Sequence, residues 1–116
     1  MLREDEIRIL HIVEACEAVL RYVSGQRQED LQADDMRARA VIQAIGVIGE
    51  AAAHLSAGFQ TQHADIPWPK IVGMRNRLVH AYFDIDYKRL WDTATSDVPA
   101  LLARMKSLLG NEAPGS

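Results

Sequence analysis

The chain has 116 residues, 48% hydrophobic and 25% charged, with seven Gly and four Pro, a composition that gives one globular domain and excludes a largely disordered chain. Its net charge of −3, from 13 Lys and Arg against 16 Asp and Glu, argues against a protein that coats nucleic acid through a broad basic surface, so charge that handles phosphate has to be local. The single Cys16 allows no intrachain disulfide and, among apolar neighbours, reads as a buried structural thiol. No segment reaches the roughly eighteen apolar residues of a membrane span, and the charged start Met1-Leu2-Arg3-Glu4-Asp5-Glu6 is unlike a signal peptide. The expected place is the cytoplasm, away from membranes.

Ile9, Ile12, Val13, Cys16, Val19, Leu20 and Val23 recur at steps of three and four, which predicts a helix from about Arg3 to Val23 that Ser24-Gly25 stops. A polar link follows from Gln26 to about Gln32. Asp34 or Asp35 is placed to cap a second helix with one seam of Met36, Ala40, Ala44, Val47, Ala51 and Leu55, and a stripe of Val41, Ile45, Ile48 and Ala52 beside it. So wide an apolar arc needs cover on more than one side, from this chain or from a second copy. Gly46 and Gly49 cost that helix about 1 kcal/mol each relative to Ala, which close approach of another backbone would compensate.

Ala57-Gly58 ends the second helix, and a loop runs to Pro67-Trp68-Pro69. A short third helix is predicted from Trp68 or Pro69 to about Ala81, buried through Ile71, Met74, Leu78 and Val79. Phe83-Asp84-Ile85-Asp86 is a connector whose Asp86 can cap a fourth helix, carrying Leu90, Trp91, Ala94, Val98, Leu101, Leu102, Met105, Leu108 and Leu109. Pro99 interrupts this helix without breaking its register, so a kink is expected. No strand alternation stands out. The expected fold is all-α, an antiparallel bundle of four main helices, with a domain at 1–109 and a disordered tail at 110–116.

There is no Gly-rich phosphate loop, no zinc-type Cys/His set and no paired-His motif, and His11, His54 and His63 are scattered over different elements, so no metal site or cofactor is implied. The stretch Arg75-Asn76-Arg77-Leu78-Val79-His80-Ala81-Tyr82 stands apart because it concentrates Arg, Asn, His and Tyr in an otherwise apolar helix. At about 100° per residue, Asn76 and His80 share a face about 40° apart, while Arg75 and His80 are about 140° apart. Arg75 and His80 can converge on one phosphate only if the helix loosens near His80, if the long Arg side chain reaches, or if a second copy of the chain contributes, a geometry that favours a site at a homodimer interface. The same residues also suit an ordinary helix end, where cations complement the dipole.

Arg75-Asn76-x-x-x-His80-x-Tyr82 resembles the RX4HXY signature of the HepT family of HEPN-domain toxins. The likeness extends through Ile48-Gly49-Glu50-Ala51, Trp68, Pro69, the run from Met74 to Asp86, Leu90-Trp91 and Asp97-Val98-Pro99-x-Leu101. The resemblance implies a HEPN-like bundle working as a homodimer, and a metal-independent endoribonuclease that cuts RNA, tRNA or mRNA, by attack of a ribose 2′-hydroxyl. It implies that His80 is general acid or base, that Arg75 holds the scissile phosphate, and that Asn76 orients the imidazole or the substrate. It further implies the toxin of a type VII toxin–antitoxin pair, neutralised when a minimal nucleotidyltransferase antitoxin of the MntA kind transfers AMP to Tyr82. Glu50, if buried, needs a partner such as Arg75 or Arg77; an exposed Glu50 is the alternative. A noncatalytic nucleotide- or RNA-binding HEPN module, or a structural dimerisation bundle, would account for the same residues.

Overall fold

A computed structural model describes residues 1–81 and 84–111. Three long helices carry the fold: α1 (Arg3–Val23), α3 (Asp35–Ala53) and α7 (Val98–Asn111). α1 is the shared element, packing against α3 on one side and α7 on another. Its predicted stripe is the reason: Ile9, Ile12, Cys16 and Val19 are wholly buried, in one core cluster with Val41, Ile45 and Ile48 of α3 and Val98 and Met105 of α7. Each such aliphatic side chain contributes about 1.5–3 kcal/mol by leaving water. Gly25, at φ 72°, takes the left-handed turn that ends α1.

Asp5 is the buried charge of this core, 3% exposed. Its carboxylate accepts from the Ser56 backbone N–H at 2.8 Å and the Ser56 hydroxyl at 2.7 Å, tying the start of α1 to the segment beyond α3. Cys16 is buried as expected, and burial, with the nearby Glu17 charge, pushes its thiol up to about 12.

The expected link at 26–32 contains a helix, α2 (Gln28–Ala33). One residue anchors it, the fully buried Leu31, so there was no apolar repeat to read. Asp34 caps α3 by accepting from the Arg37 N–H. α3 stops at Ala53, short of Ala57-Gly58, and the predicted loop holds α4 (Ala57–Gln62), capped by the Ser56 hydroxyl on the Phe59 N–H. Phe59 is buried against the rings of His63 and Trp68.

The third predicted helix needs correction. α5 (Trp68–Val72) is followed by a 3₁₀ turn (Met74–Arg77) and a small antiparallel hairpin of β1 (Val79–Ala81) and β2 (Asp84–Ile85). Val79 pairs with Ile85 and Ala81 with Asp84, with an irregularity between them. Gly73 closes α5 by donating to the Pro69 carbonyl, and the β-branched Val79 and Ile85 favour extended backbone. Leu78 and Ile85 carry the hairpin's burial. A strand of three residues is too short for alternation to appear in the sequence.

The fourth helix is divided as well. α6 (Tyr87–Asp92) is capped by Asp86 as expected, and a π segment (Thr93–Asp97) joins it to α7. Pro99 has no N–H to offer the carbonyl four residues back, and the widened turn just before it absorbs the mismatch. The buried register Leu90, Ala94, Val98, Leu101, Met105, Leu108 runs through unbroken. α7 continues through Gly110 to Asn111, over the first residues of the expected tail; residues 112–116 lie outside the described residues. The all-α class stands, with the hairpin as its one small sheet among the described residues.

α5 and the 3₁₀ turn also pack against α3, where the two helix glycines matter. A Cβ on Gly49 would lie 2.8 Å from the Val72 carbonyl oxygen, and one on Gly46 would lie 3.0 Å from Arg75 Cδ. The expected close approach is therefore present at Gly49, while Gly46 makes room for a side chain of the signature.

Candidate active site

Arg75 and Asn76 project from the 3₁₀ turn and His80 from β1, all exposed, and all three line one groove. Its volume is about 690 Å³; Val79, Ala81 and Ile85 of the hairpin form one wall, and Arg39, Ile42 and Gln43 of α3 the other. Because the helix ends at Val72, the 140° separation does not apply. The change from helix to turn to strand brings Arg75 and His80 to the same groove within one chain, which is the loosening that the sequence reading required.

His80 is held by a residue that had been assigned only a capping role. Its Nε2 lies 3.3 Å from Asp86 Oδ2, while Asp86 Oδ1 accepts the Arg89 backbone N–H at 3.0 Å. That backbone bond first, then the hydrogen bond and positive charge of His80 and the Arg89 guanidinium, hold the Asp86 carboxyl below the usual carboxylate range against a partial desolvation cost. An ionised carboxylate only accepts, so the imidazole donates through Nε2, and in the neutral form of the ring Nδ1 is then the basic nitrogen. The Asp86 N–H donates to the Leu78 carbonyl at 2.8 Å, which fixes its backbone at the base of the hairpin. The imidazole's hydrogen bond thus goes to Asp86 and not to Asn76.

The remaining predicted residues fall as follows. Arg77, on the same turn as Arg75, donates to the Lys70 carbonyl at 3.2 Å and lines a different groove. Glu50 is exposed and forms no ion pair with Arg75 or Arg77 among the described residues. Tyr82 lies outside the described residues. Arg39 and Gln43 had not been singled out; their i, i+4 spacing on the solvent side of α3 was the available signal, and Arg39 also bonds Asp35 at 2.9 Å. Asp86 could not be paired with His80 from sequence, because the pairing needs the hairpin. Among the described residues no group of three His, Cys, Asp or Glu is placed to hold a metal ion, and no helix is long and apolar enough to cross a membrane.

A mainly helical HEPN-like domain with an arginine, an asparagine and a carboxylate-held histidine on one groove defines the class. The profile of the family described as Ribonuclease HepT-like matches residues 12–108, and the chain belongs to that family. It is 35% identical over 102 residues to "Putative RNase TTE0752" of Caldanaerobacter subterraneus subsp. tengcongensis, covering 88% of this chain and 91% of that one. It is 34% identical over 108 residues to "Probable ribonuclease HepT" of Thermococcus cleftensis, covering 93% and 98%. A third relative, "Putative RNase MJ1380" of Methanocaldococcus jannaschii, is 32% identical over 99 residues, covering 85% and 91%. No solved structure matches the chain closely enough to be counted as a relative.

Proposed function

We propose that the protein is an endoribonuclease whose reaction uses its own side chains without a metal, and that it is the toxin of a toxin–antitoxin pair acting in the cytoplasm. The observation that carries this reading is the convergence of Arg75, Asn76 and the Asp86-held His80 on one groove of a chain in a ribonuclease family. His80 Nδ1 takes the proton of a ribose 2′-hydroxyl; the 2′-oxygen bonds to the adjacent phosphorus and the bond from phosphorus to the 5′-oxygen breaks. A proton delivered to that oxygen leaves a 2′,3′-cyclic phosphate and a 5′-hydroxyl. Arg75 sits against the phosphate and offsets the charge that builds there, and Asn76 hydrogen-bonds the substrate.

One imidazole cannot both remove and deliver a proton in the same instant, and a second copy supplies the other. Met36 and Val47, exposed at 83% and 37%, bracket Arg39 and Gln43 on α3, so a homodimer joined on this face sets its two grooves side by side. Tyr82 follows His80 by two residues, and AMP transferred to it by a nucleotidyltransferase antitoxin adds bulk and negative charge where the RNA phosphate binds.

The test is cleavage of tRNA and mRNA in EDTA by the purified protein beside Arg75→Ala and His80→Ala. Both residues are exposed, so the variants keep the fold. Loss of cleavage in each, with cyclic-phosphate product from the parent, is the expected result; RNA bound but uncut by the parent protein would leave a binding module instead. Mass spectrometry after co-expression with the antitoxin reads the second half of the reading: AMP-sized additions on the parent and none on Tyr82→Phe.

A further inference from the structure

A second groove, about 540 Å³, lies on the other side of the 3₁₀ turn, between α5 and the stretch from α6 to α7. Its floor is apolar, formed by Ile66, Ile71, Met74 and Leu101. Its rim carries five cations, Lys70, Arg77, Lys88, Arg89 and Arg104, against the carboxylates of Asp86, Asp92 and Asp97. On a chain of net charge −3 this is a local positive excess. Lys88 is paired with Asp92 at 2.7 Å, Arg89 with Asp86 at 3.9 Å and Arg104 with Asp65, while Lys70 and Arg77 have no ionic partner among the described residues.

The two grooves share a wall. Arg75 lines the first and Arg77, two residues on, the second, so the 3₁₀ turn is a saddle with a guanidinium on each slope. Asp86, which holds His80 of the first groove, itself lines the second. We propose that the second groove is a nucleotide subsite for the RNA beyond the scissile phosphate, the strand crossing the saddle from one groove to the other. A base lies on the floor of Ile71, Met74 and Leu101, and the adjoining phosphates meet Lys70 and Arg77 on the rim. The volume is that of a small-ligand cleft and suits a nucleotide. A net acidic protein can hold RNA this way because the cations are gathered along one path.

The inference rests on the ribonuclease reading, and the variant Lys70→Glu tests it apart from that reading. Lys70 is exposed and touches neither His80, Asp86 nor Arg75. Cleavage of a longer oligoribonucleotide and of a dinucleoside monophosphate is compared. The expected result is a drop in kcat/KM of roughly tenfold on the oligonucleotide, with the dinucleoside monophosphate cut as before, and a shallower dependence of binding on salt. Equal loss on both substrates, or loss on neither, overturns the subsite. If the parent protein cuts neither, the ribonuclease reading fails by itself, and fluorescence anisotropy of the labelled oligonucleotide on parent and variant still decides the groove: weaker binding by the variant supports it and equal binding overturns it. A variant that binds RNA like the parent but loses binding to polyglutamate would assign the groove to an acidic protein partner and end the proposal.

Discussion

Gly49→Ala and Gly46→Ala separate what holds the fold from what arms the site. At Gly49 the added methyl would meet the Val72 carbonyl oxygen at 2.8 Å and that of Ile71 at 3.3 Å. These are backbone atoms at the end of α5, so relief requires moving α5 away from α3. Overpacking of this kind costs about 1–3 kcal/mol, and better helix propensity returns about 1 kcal/mol, leaving a net loss of up to about 2 kcal/mol. At Gly46 the methyl meets only Arg75 Cδ at 3.0 Å and Nε at 3.6 Å, which a long side chain relieves by turning. That strain of about 0.5–1.5 kcal/mol is matched by the propensity gain, so stability stays nearly level. Arg75 is then displaced from its place in the groove, and cleavage falls about tenfold. Gly58→Ala, on α4 with open space around it, is the control and adds up to about 1 kcal/mol. Urea unfolding measures the first quantity, with a Tm shift of about 4–8 °C per kcal/mol as a cross-check, and RNA cleavage the second. A Gly49→Ala protein stabilised as much as Gly58→Ala, or a Gly46→Ala protein with full activity, would refute the packing account.

Three further outcomes follow from single side chains. Asp5→Ala leaves the Ser56 N–H and hydroxyl without their acceptor inside the fold and is expected to cost about 3 kcal/mol in urea, while Asp5→Asn keeps part of the bond. Cys16 stays unmodified by iodoacetamide at neutral pH, since its thiol is buried and pushed up to about 12, and reacts only as the protein unfolds; prompt labelling of the native protein would contradict its placement. Asp86→Asn retains an N-cap for α6 but removes the charge on His80, so cleavage falls with little loss of helix, whereas Asp86→Ala frays α6 as well. The native Asp86 carboxyl titrates below its unfolded value, so its stabilisation is present above the ordinary carboxylate range and is lost as pH falls through the folded value. The acid-side loss of stability should therefore be smaller in Asp86→Asn than in the parent.

The parts of the fold legible in the sequence were those with a repeating period. α1 and the register through Leu90, Ala94, Val98, Leu101, Met105 and Leu108 announce themselves because a long buried stripe cannot be mistaken for a strand. Elements fixed by one anchor escaped notice: α2 rests on Leu31 and α4 on Phe59, and a single apolar residue has no period. The segment 68–81 misled for another reason. Its apolar residues Ile71, Met74 and Leu78 keep a helical spacing, and all three are buried, yet the backbone between them passes through α5 and a 3₁₀ turn. Spacing records which side chains face inward and not which backbone bonds connect them. At the site, Arg75, Asn76 and His80 were legible as residue types in one stretch, while Asp86, Arg39 and Gln43 become neighbours only through the hairpin and the seating of the turn on α3.

The departures from helix give the site its geometry. A continuous helix from Trp68 to Ala81 would present Arg75 and His80 to different sides, as the 100° step requires. Ending α5 at Gly73 and tightening the next turn sets Arg75 over Gly46, and reversing the chain at the hairpin returns it to Asp86, whose carboxylate then starts α6 with one oxygen and holds His80 with the other. The group that aims the imidazole therefore also fixes the first turn of the helix behind it, so the histidine's position is coupled to the packing of α6 on the core through Leu90. Arg75 is coupled in the same way to α3 through Gly46. Each half of the site is thus anchored to a different element of the bundle, and a shift of the turn relative to α3 would change the distance between guanidinium and imidazole without unfolding either.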